Sequence, residues 1–258
     1  MPVRWALRLE YDGSGFVGWQ RQASGLSVQE ALETAAERLT GGEKVSSAVA
    51  GRTDAGVHAE GQIACLDLPI AIAAERLADA LNFHLKPNRV AVLAVRAAAA
   101  DWHPRFSAIG RAYRYTILDR RAPPALLAGR VWHVPHRLDD EAMHRAAQSL
   151  LGRHDFSSFR ASACQAASPW RTLDRLEVRR AGELIHVLAE ARSFLHHQVR
   201  NMVGTLKLVG EGRWEEAHAA RVLAACDRRA AGPTAPAQGL CLTEVRYAED
   251  PFSPRPGS

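Results

Sequence analysis

Lysine is almost missing from this chain. Lys44, Lys86 and Lys207 are the only ones among 33 basic residues, so 30 are arginine. The arginine fork matches phosphates and stacks on bases, which suits an RNA partner; in an alanine-rich chain it also reflects the compositional habit of the source genome. The four cysteines, Cys65, Cys164, Cys226 and Cys241, are widely spaced and form no CxxC pair. That excludes a zinc knuckle and a disulfide framework and leaves reduced thiols as the expectation. No run of about 18 apolar residues occurs, so no membrane span is expected. The first residues lack a signal peptide's apolar run and lead straight into a strand pattern. Together these absences point to the cytoplasm. The adjacent pair His196-His197 has no HExxH-type partner spacing, and neighbours on a helix point about 100° apart. With no phosphate loop either, a metal-dependent nucleotide hydrolase is not supported, and neither metal nor cofactor is expected.

What remains is an ordinary soluble composition, 47% hydrophobic and 24% charged over 258 residues. That length suits one large domain or two modest ones. The net charge of +5 favours an anionic partner.

The first half reads strand, helix, strand, strand, helix, strand. Val3 to Tyr11 alternates Trp5, Leu7 and Leu9 with Arg4, Arg8 and Glu10. Ser27-Val-Gln-Glu30 is a capping box opening a helix through Leu39. Strands are predicted at 44–50, 61–68 and 89–96, with a helix over 73–83. The second half repeats the theme: a half-buried strand at 111–118, a helix at 139–151, and a hairpin of 171–178 with 183–189. Helices over 194–209 and 214–226 and a strand at 240–247 complete it. The pattern predicts an α+β fold of two similar α/β halves with mainly antiparallel sheets flanking a central cleft. The halves are set at 1–104 and 105–247, because Trp102-His-Pro-Arg-Phe106 breaks the periodicity, and 248–258 reads as a flexible Pro-rich tail.

Chemistry concentrates in Ala50-Gly-Arg-Thr-Asp-Ala-Gly-Val-His-Ala59, between two predicted strands. Such a loop can hold Asp54 at the mouth of a cleft with Arg52 two residues away, while Gly56 allows a close approach. An Asp in an unselected Thr-Asp-x-Gly run more often bonds its own turn. Here the match is much longer. Gly51-Arg-Thr-Asp-Ala-Gly-Val-His58 resembles the active-site motif of the TruA family of tRNA pseudouridine synthases. Four further stretches resemble that family in order: Tyr11-Asp-Gly-Ser-Gly-Phe-Val-Gly-Trp-Gln-Arg-Gln22, Arg105 to Tyr115, Asp155-Phe-Ser-Ser-Phe-Arg160, and Ser193-Phe-Leu-His-His-Gln-Val-Arg-Asn201. The resemblance runs from Leu9 to about Tyr247.

It implies a cofactor-independent isomerase acting on uridines at positions 38–40 in the anticodon arm of tRNA, working as a homodimer. Breaking an N-glycosidic bond, turning the base and rejoining it through carbon needs a nucleophile beside the sugar and ring, and groups that hold the freed base. Carboxylates in their ordinary range are ionised at neutral pH and can attack, and a nearby cation keeps that charge when a base covers the site. The family assigns the nucleophile to Asp54, with C6 of uracil and C1′ of ribose both open as its target. Arg52 and Arg200 are the available cations. The family pairs an arginine at the place of Arg200 with the catalytic Asp, and uses the arginine at the place of Arg52 to replace the extruded nucleotide; a phosphate contact or a salt bridge to Asp54 is an equal reading of Arg52.

Tyr113 matches the family's base-stacking tyrosine, although Tyr115 shares its strand face and two core aromatics is the commoner fate. His196 and Arg200, four apart, are expected on one helix face, with Gly204 permitting close approach along that row. Gln198 stands where many members have Met. His58 and Gln20 complete the possible RNA contacts with His196, His58 reading first as a group that satisfies its own loop's backbone. Asp12, Trp19 and Gln20 are expected at a cleft rim or subunit contact. A non-catalytic RNA-binding module or chaperone of the same fold would share the arginines and aromatic strands, but has no use for a poised carboxylate.

Overall fold

A computed structural model describes residues 2–70 and 72–253. In chain order its elements are β1 (Val3–Tyr11), α1 (Val28–Leu39), β2 (Ser47–Val49), β3 (His58–Leu68), α2 (Ala74–Leu85), β4 (Val90–Ala97), β5 (Ala108–Leu118), β6 (Trp132–His133), α3 (Asp140–Gln148), β7 (Gly152–Asp155), β8 (Trp170–Ala181), β9 (Leu184–Ala191), α4 (Gln198–Gly210), α5 (His218–Ala225) and β10 (Leu240–Tyr247). Two compact units result. One runs up to Ile109 and is rejoined from Leu242; the other is Gly110–Cys241.

In the first unit the strand order is β4-β1-β3-β10, with β2 also paired to β3. β1 runs antiparallel to β3 from Val3↔Leu68 to Tyr11↔Ala59, and β4 takes the other edge of β1. β2 pairs with β3 from Ser47↔Leu66 to Val49↔Ala64, so the chain must cross from β2 back to β3 through residues 50–57. One arm of the capping box forms, Ser27 Oγ accepting from the Glu30 N–H at 3.1 Å, while the Glu30 carboxylate turns to Arg21 at 3.2 Å. α2 packs along β4 and α1 against α2, burying Leu7, Leu9, Leu32, Leu66, Leu77 and Leu81. Buried Glu33 of α1 accepts from the Ser47 N–H and hydroxyl, both at 2.9 Å, and so fixes where β2 begins.

In the second unit the order is β5-β9-β8-β7, antiparallel throughout, with β6 added parallel to β5. The predicted hairpin is β8 and β9. α3 lies on β8, α4 against α3, and α5 touches both helices. α4 is buried nearly all round, polar Gln198, Asn201 and Thr205 included, and Leu195, Val199, Met202, Leu206 and Val209 are all buried.

Several expectations shift. β10 lies beside β3, where Gly61 meets the backbone of Thr243, so the last strand of the chain belongs to the first unit and not with the rest of 105–247. The strand expected over 44–50 shrinks to three residues, since only Ser47–Val49 pairs in register with β3. α5 begins at His218, and α4 at Gln198 in place of Phe194, because His197 is left-handed at φ 63° and starts a new helix there. The tail reads as flexible from 248, yet Arg8 bonds Asp250 at 3.4 Å and lies 4.7 Å over the Phe252 ring. The remainder of that tail, 254–258, lies outside the described residues. No helix among the described residues is long and apolar enough to cross a membrane.

Candidate active site

The expected site residues fall into two sets, one in each unit. Asp54 sits half-buried on the 50–57 crossing, and that crossing is braced from below at three points. The Ala50 N–H donates to Ile63 O at 2.8 Å, and the fully buried Gln62 amide donates to Gly51 O at 2.8 Å and to the Tyr11 hydroxyl at 3.2 Å. Tyr11 in turn shares a 2.7 Å hydrogen bond with Thr53 Oγ1. Each such bond contributes about 1 kcal/mol, and each would leave a buried polar atom stranded if its partner were lost.

From above, the loop is gripped by the 11–22 motif. The Trp19 N–H donates to Thr53 O at 3.0 Å, the Gly56 N–H to Phe16 O at 3.4 Å, and the Gly13 N–H to His58 Nδ1 at 3.0 Å. The Val57 N–H closes the turn onto Asp54 O at 3.1 Å, with Gly56 at φ +77°. Gly13 must be glycine, since a Cβ there would stand 2.1 Å from Val57 O. Two motifs some 40 residues apart in sequence thus form one body that aims the Asp54 side chain.

His58 is buried with Nδ1 accepting from Gly13, so it serves the loop's own backbone. Asp12 and Trp19 are interior, the Trp19 ring 6.1 Å from Tyr11. Of the three residues expected at a rim, Gln20 alone is exposed. Arg52 is exposed and makes no ion pair with Asp54 or any other acid among the described residues. Tyr11, Thr53 and Gln62 escaped the sequence reading; a glutamine inside an almost wholly buried strand was the available signal.

Asp12 is an acid-sensitive strut beneath this loop. Burial pushes its carboxyl up, but hydrogen bonds from Ser14 and from the Arg89 guanidinium at 2.9 Å outweigh it and bring the group down to about 2. A depressed carboxyl contributes stability in full above its unfolded value near 3.8 and loses it as pH falls through about 2. The contribution is about 2 kcal/mol. Asp12→Asn is therefore expected to flatten the fall in melting temperature between pH 4 and pH 2; an unaltered profile in calorimetry would remove Asp12 as the titrating strut.

The second unit carries Tyr113, His196 and Arg200. Tyr113 and Tyr115 point the same way from β5 but meet different fates. Tyr115 is fully buried, donates its hydroxyl to Pro236 O at 2.7 Å and abuts Gly239. Burial drives that hydroxyl's pKa far up, against a smaller opposing pull from Arg200. Tyr113 is half-buried, with its ring edge-on to Phe194 at 5.3 Å. The spacing that made them interchangeable in sequence is resolved by depth.

Arg200 is tied to the loop after α5: its Nε donates to Ala235 O at 2.8 Å, and the Ala235 N–H returns a bond to Arg200 O at 3.1 Å. Beside it, fully buried Asn201 donates to Phe159 O and accepts from Arg228 and Thr234. The row of Gly204 packs closely against this loop as expected. His196 does not share a helical face with Arg200, because it precedes the left-handed His197; it is exposed, its ring 4.0 Å from that of His197. Gln198 is buried, accepting from the Leu195 N–H at 2.8 Å, and its Nε2 has no partner among the described residues.

A profile described as tRNA pseudouridine synthase matches residues 9–107 and 146–248. The chain belongs to the tRNA pseudouridine synthase family. Proteins named tRNA pseudouridine synthase A resemble it along almost their whole length. That of Acidiphilium cryptum is 70% identical, covering 96% of this chain and 98% of its own. The corresponding figures are 64%, 95% and 99% for Rhodospirillum centenum, and 53%, 97% and 92% for Gluconobacter oxydans. Within this synthase family the matched stretches take in the 11–22 motif, the Asp54 loop and Arg200, while Tyr113 falls between them. The α+β fold follows from the family and agrees with the strands and helices above.

Proposed function

We propose that this protein isomerises uridine to pseudouridine at positions 38–40 in the anticodon arm of tRNA, with Asp54 as nucleophile, and works as a cytoplasmic homodimer without metal or cofactor. The observation that carries the reading is the double bracing of the Asp54 loop. A carboxylate left half-buried on a turn braced from both sides is an arrangement that catalysis uses and simple RNA binding does not need. In the reaction the N1–C1′ bond breaks, the uracil turns, and a C5–C1′ bond forms; the C5 proton is lost to solvent and N1 takes one up. Attack by Asp54 at C6 or at C1′ gives the same balance.

Arg200, fixed by Ala235, supplies a cation whose position does not depend on solvent. Tyr113 offers a ring face to the base and a hydroxyl for proton movement. Exposed Arg52, His196 and Gln20 are assigned to RNA contacts, and His58 to the loop that presents Asp54. Since several neighbouring uridines are substrates in this reading, recognition rests on shape and backbone more than on base identity.

Release of tritium from tRNA labelled at uridine C5, with purified protein in chelator, tests the proposal directly. Release mapped to the anticodon arm supports it; tight tRNA binding with no release overturns it in favour of a binding protein. The two tyrosines give a sharper prediction. Tyr115→Phe strands the Pro236 carbonyl and should cost about 1–2 kcal/mol of stability while turnover stays within roughly twofold. Tyr113→Phe should do the reverse, lowering kcat with an unchanged melting temperature.

A further inference from the structure

The outer edge of the second unit carries an aromatic and basic surface that the proposed chemistry leaves unused. β7 and β8 pair with Arg153 opposite Thr172 and Asp155 opposite Trp170, so these four share one face, while Leu173 points to the core. Trp170 is 51% exposed, an unusual degree for an indole, and the Arg153 guanidinium lies 5.5 Å over its ring. The indole is presented from a braced turn: the Arg171 guanidinium donates to Ser168 O at 2.9 Å and to Trp170 O at 2.6 Å, and the Phe156 N–H donates to Pro169 O at 3.1 Å. Arg153, Arg160 and Arg171 make no ion pair among the described residues, and Asp155 is occupied by the Ser157 N–H at 2.8 Å. The Arg153 guanidinium therefore stands over a rigid, open ring, with the Asp155 carboxylate of the same face turned to the Ser157 N–H.

We propose that Trp170 and Arg153 form a stacking platform that takes an unpaired base of the tRNA, with Arg153 also meeting the adjoining phosphate. Indole stacking and guanidinium contact are the two interactions that bind unpaired nucleotides with little sequence preference. Exposing a tryptophan costs solubility, and stacking on a base recovers that cost without requiring a deep pocket. The platform binds and orients the RNA; it takes no part in bond making. It rests on the reading of tRNA as substrate, though not on the protein being an active isomerase.

The test measures Kd for unmodified tRNA and the KM and kcat of tritium release, for wild type, Trp170→Ala, Trp170→Phe and Arg153→Ala. Trp170→Ala should weaken Kd and raise KM about tenfold with kcat unchanged, and Trp170→Phe should restore most of the loss. Binding data alone decide the matter if the wild type proves inactive, so failure of the isomerase reading and failure of the platform are distinguishable. Unchanged Kd in Trp170→Ala and Arg153→Ala overturns the proposal. So does a change in sedimentation of Trp170→Ala without any change in tRNA affinity, which would make the patch a contact between copies of this chain.

Discussion

Asp54→Asn is expected to lower pseudouridine formation by roughly 10⁴-fold, about 5 kcal/mol of transition-state stabilisation, while tRNA binding and melting temperature stay close to wild type. The substitution keeps the size and shape of the side chain and removes its charge. The bonds that hold the loop run through Gly51 O, Thr53, Asp54 O and Val57 N, none of which it touches. A loss of activity can then be assigned to chemistry. Single-turnover assays with C5-tritiated tRNA, paired with filter binding, separate the two quantities. Turnover equal to wild type would take Asp54 out of the reaction whatever the loop geometry.

Gly204→Ala should have the largest effect on stability. A Cβ at this place would stand 1.7 Å from Pro233 O, and one at Gly232 would stand 2.7 Å from Gly204 O. The obstacle is backbone, which cannot swing aside as a long side chain can. The 232–235 segment would have to lift from α4, and with it go the Gly232 N–H bond to Thr205, the Thr234 bond to Asn201 and both links between Arg200 and Ala235. Overpacking of this kind costs about 1–3 kcal/mol and the bonds about 1 kcal/mol each. A fall in melting temperature of about 10 °C follows for a chain of this size. Because Arg200 loses its anchor, kcat should fall in the surviving folded protein as well. An unchanged melting curve would mean that the loop yields freely and that Arg200 is not held by it.

Periodicity gave β1 and α1 nearly to the residue and the β8–β9 hairpin to within three residues at each strand end, because each is amphipathic on its own and, for α1, carries its cap in its sequence. What escaped depends on partners distant in sequence. β2 is short because β3 offers it three places, and α4 starts late because His197 turns left-handed, a choice that local propensity disfavours. The Asp54 loop was legible as a motif, but its bracing was not: Tyr11, Trp19 and Gln62 read as ordinary strand and rim residues until their buried hydrogen bonds are seen. Tyr113 and Tyr115 show the same limit, since alternation tells which way a side chain points and not what lies above it.

The place of β10 bears on how the polypeptide emerges during synthesis. The unit spanning Gly110–Cys241 is one unbroken stretch and can close on itself as soon as it leaves the ribosome. The unit that holds Asp54 cannot. Its first 109 residues are made early, yet the strand that finishes its sheet beside β3 is made last. Until translation passes Tyr247, β3 keeps part of one edge open to water and to other chains, so the sheet beneath the Asp54 loop is completed only once β10 has been made. Translation that stops short of β10 yields a chain with every proposed active-site side chain present and the sheet beneath one of them unfinished.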